Sequence, residues 1–242
     1  MKQFKDFIDD TRFDEEGRLS TLALEISFVN WIDDRTVEQA VAEYYESEGL
    51  WQLANHVQVN HRKLVLAAGL CAQSVTYCMK HWSSLHAVDA AIQYGKGLID
   101  RNTLDRKGDS AHYPTTENKY GTHYSSIDKY KVRAMHFAAV SAFRACNYYH
   151  SAPQSESDRY YHYSSAALAC SAAAFMTYEK ESNEYYERAN NEGIDGCEIC
   201  PFEFNDSKTL KEYELLTAKI CRDVLGQDII YNTNELLKGK KA

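Results

Sequence analysis

The feature that most constrains this chain is a run from Leu64 to Asn190. It is rich in alanine and tyrosine, and its apolar residues recur at helical spacing. Within Tyr160–Asn190, Tyr161, Leu168 and Phe175 stand seven apart. Ala166, Ala167, Ala169, Ala173 and Ala174 fill much of the surface between them. Alanine is the best helix former and loses no side-chain entropy, and a face of alanines lets a neighbouring helix come close. The same spacing runs through Val132, Met135, Ala139, Phe143 and Cys146 of Lys131–Tyr149, and through Leu64, Ala68, Cys71, Val75, Cys78 and Trp82. These stripes predict three tightly packed helices, with Ala87–Gly95 a shorter fourth. Such stripes are far more often plain core than a ligand groove.

Outside the run, Phe4, Phe7 and Ile8 predict a short helix in Met1–Phe13. Leu22, Leu24, Ile26 and Phe28 alternate as in a strand, while Leu22, Ile26 and Val29 equally suit a helix, which is preferred because no partner strand is evident. Thr36 with Gln39 forms a capping box, opening a helix through Val37, Ala40, Val41, Tyr44 and Tyr45 that ends near Gly49. Trp51–Val59 connects it onward, and Pro153–Asp158 turns between the two alanine-rich helices. The last helix is expected from about Lys208 to Leu225, with Gly226 placed to end it. The fold class is therefore all-α, a single domain over residues 1–242 of stacked antiparallel helices.

Two stretches break the pattern. Residues 100–129 hold Gly108, Pro114 and Gly121 with few aliphatics, and are expected to be a polar, mobile loop. Its His112, Tyr113, Tyr120, His123 and Tyr124 would suit a contact surface. Residues 191–206 are expected to be irregular, with Gly193, Gly196 and Pro201 around a Cys-x-x-Cys. Cys197 and Cys200 could present two sulfurs to a zinc ion, but a structural zinc needs four ligands and no second pair follows. Cys221 or a distant histidine could complete the set only through the fold. Pro201 argues against the helix start that a redox pair would need, which leaves an ordinary turn as the plainer reading and no cofactor expected.

Other chemistry is poorly marked. His56 and His61 are five apart, as are His81 and His86, which is the wrong spacing for one helical face. No Gly-x-Ser-x-Gly elbow occurs, and Tyr94-Gly95-Lys96-Gly97 lacks phosphate-loop spacing and reads as the exit of a helix. The formal net charge of −8 argues against general nucleic-acid binding. The charged N-terminus does not read as a signal peptide, and no apolar run approaches the roughly 18 residues of a membrane span. The expected location is the cytoplasm. There the seven cysteines read as small buried hydrophobes, not as a disulfide framework.

The order of the helices carries a resemblance. Leu70-Cys71-Ala72-x-x-Val75 is followed by Ala87-Val88-x-Ala90-Ala91-Ile92-x-Tyr94-x-x-Gly97. Ala138-Ala139-x-Ser141-Ala142 and Ser165-Ala166-Ala167-x-Ala169-Cys170 come next. Over Leu64–Glu181 this resembles the helical immunity-protein family of bacteria and their phages. The polar stretch Asp105–Lys129 is longer than that family's pattern. Its histidines match only loosely, at His136 and at His150 or His162. The resemblance implies a binding role and assigns no functional residues. With the acidic charge and eighteen tyrosines, it points to a non-enzymatic protein-binding module that neutralises a toxin or defence effector, such as a basic nuclease. A helical metal-dependent enzyme and a structural subunit that forms homo-oligomers are the competing expectations.

Overall fold

The computed structural model describes residues 59–120, 129–146, 161–192, 194 and 203–240. Six α-helices occur among them: α1 (His61–Gln73), α2 (Trp82–Gly95), α3 (Arg101–Tyr120), α4 (Lys129–Cys146), α5 (Tyr161–Asn191) and α6 (Lys208–Lys240). Each helix packs on the next in sequence, and α1 also touches α4, α5 and α6. The result is an all-α bundle in which α1 and α4, which also touches α2, are the most widely packed helices. Among the described residues, no helix is long and apolar enough to cross a membrane.

The alanine stripes form the core. Ala67, Ala68 and Ala72 of α1 and Ala87 and Ala91 of α2 are fully buried. So are Ala138, Ala142 and Ala145 of α4 and Ala166, Ala169, Ala172 and Ala173 of α5. Large aliphatics are few in this core, so cohesion comes from close backbone approach and many small dispersion contacts. The approach is tightest between α1 and α2. A Cβ on Gly69 would lie 2.9 Å from Ala91 Cβ, and one on Gly95 would lie 2.9 Å from the Leu66 Cα. Where α1, α4 and α5 meet, two buried serines satisfy each other's backbone. Ser141 Oγ donates to Ser165 O at 2.8 Å and Ser165 Oγ to Ser141 O at 2.9 Å, with Ala68 O 3.2 Å away. All five described cysteines are buried free thiols, as expected of small hydrophobes.

Three boundaries differ from the expected ones. The first stripe does not run on to Trp82. Ser74 Oγ bonds back to Cys71 O at 2.7 Å, a 3₁₀ turn spans Thr76–Cys78, and Trp82 begins a new helix. Hydroxyl competition for the backbone and the β-branched pair Val75-Thr76 favour this break. Residues 101–120 are helix α3, not a loop. Asp100 caps it, with Oδ1 accepting from Thr103 N at 2.8 Å. Over residues 101–112 of α3 the buried ones are Leu104, Gly108 and Ala111, a stripe too small to stand out in the sequence. Finally, α6 continues through Gly226 to Lys240. Gly226 is itself buried, between Leu225 and Ile229, and continued burial of that face outweighs the roughly 1 kcal/mol helix penalty of glycine. By contrast, Gly95 ends α2 as expected, followed by Gly97 at φ +78° and a Leu98 N to Gln93 O bond of 2.9 Å.

The start of α6 is held from another helix. Glu181 of α5 accepts from Lys208 N at 2.9 Å, from Thr209 N at 3.1 Å and from the Thr209 hydroxyl. Ser207 Oγ accepts from Leu210 N at 3.1 Å. Two of the four orphan amides of the helix start thus reach a carboxylate contributed by α5. Burial pushes the Glu181 pKa up, but the bonds from Thr209, Ser207 and Thr177 outweigh it and hold it below the ordinary glutamate value. Glu181→Ala is expected to cost roughly 2 kcal/mol, in the range for hydrogen bonds to a charged group. This contribution is present above the unfolded glutamate pKa and lost as pH falls through the lower folded one. Urea denaturation at neutral pH checks it, and a loss under about 0.5 kcal/mol would mean that water replaces the carboxylate without penalty.

Candidate interaction surface

Of the five residues expected to form a contact loop, three lie on α3. His112 is exposed on α3, with its ring edge-on to Phe143 of α4 at 5.0 Å. Tyr113 and Tyr120 belong to the same helix, so neither lies in a loop. His123 and Tyr124 lie outside the described residues, as do Cys197 and Cys200. Among the described residues, no group of three or more histidine, cysteine or acidic side chains is arranged to hold a metal.

Two other assemblies stand out. The first is polar and joins the ends of α1, α2 and α3. His61, the first residue of α1, lies with Nδ1 3.3 Å from Tyr94 Oη and Nε2 3.3 Å from Arg101 Nη1. Arginine can only donate, so Nε2 is the acceptor and the proton sits on Nδ1. Arg101 Nε also pairs with Asp105 at 2.8 Å. Arg62 Nη1 donates to Tyr94 O at 2.7 Å, capping a terminal carbonyl of α2, and its guanidinium lies 4.5 Å over the Tyr94 ring. Burial and then the Arg101 charge push the His61 pKa down to about 4. A neutral imidazole held this way fastens three helix ends, and its acceptor nitrogen is already engaged.

The second assembly is an exposed apolar corner. The break after α1 turns Tyr77, Trp82 and Leu85 outward, at 58%, 66% and 41% exposure. Tyr213 of α6 donates to Ser74 O at 3.4 Å, which leaves its oxygen to accept from Tyr77 Oη at 3.3 Å. Burial, then that bond to Tyr213, raises the Tyr77 pKa, so the phenol stays neutral. Leu216 lies one helical turn beyond Tyr213 and is also exposed. Trp82 is oriented by an edge-on contact with His86 at 5.1 Å. Exposed Lys80 and His86 flank the α2 side, and exposed Glu212 and Glu214 the α6 side. Several large exposed apolar side chains at one turn of the chain make a candidate contact site, whereas single exposed ones mean little.

Sequence reasoning placed Trp82 at the end of a buried stripe and did not single out Tyr77. The available signal was local. Ser74-Val75-Thr76 is a poor helix segment, and a break there moves every later residue out of phase. Family models, curated proteins and solved structures were all compared with this chain, and none matches it.

Proposed function

We propose that this chain is a non-enzymatic binding module that neutralises another protein, a toxin or a defence effector, through the corner of Tyr77, Trp82 and Leu85. The exposure of Trp82, five residues on from a Tyr77 already held by Tyr213, is the observation that carries the reading. Tryptophan and tyrosine are the residues that most often dominate binding energy, and a pre-oriented side chain loses less entropy on contact. The net charge of −8 would speed encounter with a basic partner and slow it as salt rises. The resemblance to immunity proteins supplies the sense of neutralisation, and a phage inhibitor of host defence acting in the cytoplasm is one form of it.

Titration against candidate effectors by calorimetry tests the proposal. Trp82→Ala and Tyr77→Ala should each weaken binding at least tenfold, about 1.4 kcal/mol, while the melting temperature of Trp82→Ala stays within a degree or two of wild type and that of Tyr77→Ala falls by a few degrees with the bond to Tyr213. Binding unchanged in the double variant would remove the corner from the interface. Failure to bind any effector would remove the proposal itself.

A further inference from the structure

We draw no further inference here: the strongest candidate, the apolar corner of Tyr77, Trp82 and Leu85 beside Tyr213 and Leu216, belongs to the surface already described, and nothing in the structure shows what covers it.

Discussion

Gly95→Ala is expected to lower the unfolding free energy by roughly 2–3 kcal/mol, the upper part of the range for overpacking a tight core. The added methyl would sit 2.9 Å from the Leu66 Cα and 3.0 Å from the Arg62 carbonyl oxygen, as well as against Leu66 Cβ. Two of these three are backbone atoms of α1, so no side chain can rotate away and the two helices must separate. Opposing this, alanine gains up to about 1 kcal/mol over glycine in helix propensity, less at a last helical position. The clash should win because α1 cannot retreat freely. Its other faces pack on α4, α5 and α6. Separation would also lengthen the Arg62 bond to Tyr94 O, now 2.7 Å. Gly69→Ala makes a milder comparison, since its nearest contact is the Ala91 methyl at 2.9 Å, with Ile92 N at 3.2 Å. Urea denaturation of both variants decides the matter. If Gly95→Ala were as stable as wild type, the crossing of α1 and α2 would be far softer than its geometry implies.

That crossing shows how far the sequence could be read. Stripes of alanine at helical spacing were sufficient for the fold class, and cysteines 71, 146, 170 and 221 on the same stripes could be read as core. Periodicity fails where small residues carry the burial. Over 101–112 the buried residues are Leu104, Gly108 and Ala111, so the glycine that looked like a loop signal is part of the buried stripe. Gly226 misled too: a glycine signals a helix end through a left-handed turn, which the chain takes at Gly97 and not at Gly226. The exposed corner was hidden by a more basic limit. Whether Tyr77 and Trp82 point inward depends on a break after Gln73, and a run of apolar residues at helical spacing does not show whether its helix is continuous. The clasp around His61 joins residues up to 40 positions apart, a pairing that no local pattern encodes.

That clasp makes stability depend on pH in a window of its own. His61 titrates at about 4 in the folded chain against an ordinary 6.5. Above 6.5 it is neutral in both states and its contribution is complete. Below 6.5 the unfolded chain takes up the proton while the folded one does not, so stability falls as pH falls, until the folded pKa is passed. The loss between pH 7 and pH 5 should be about 2 kcal/mol, and the full loss roughly 3 kcal/mol. The geometry supplies the cause. A proton on Nε2 would set a donor against the Arg101 donor and a positive charge between two guanidiniums, and Asp105 offsets only part of that repulsion. Glu181 also loses its contribution in acid, but only below the unfolded glutamate value near 4.5. The interval from pH 7 to pH 5 therefore lies above the window of Glu181, and comparison with a His61 variant separates His61 from the other histidines. His61→Gln keeps an acceptor for Arg101 without a group that titrates, and its stability should change by about 2 kcal/mol less than wild type over that interval. Parallel curves for the two proteins, measured by denaturation at pH 7, 6 and 5, would show that the folded chain admits the proton and that Arg101 moves aside. Divergent curves would establish that α1, α2 and α3 are fastened through a neutral imidazole.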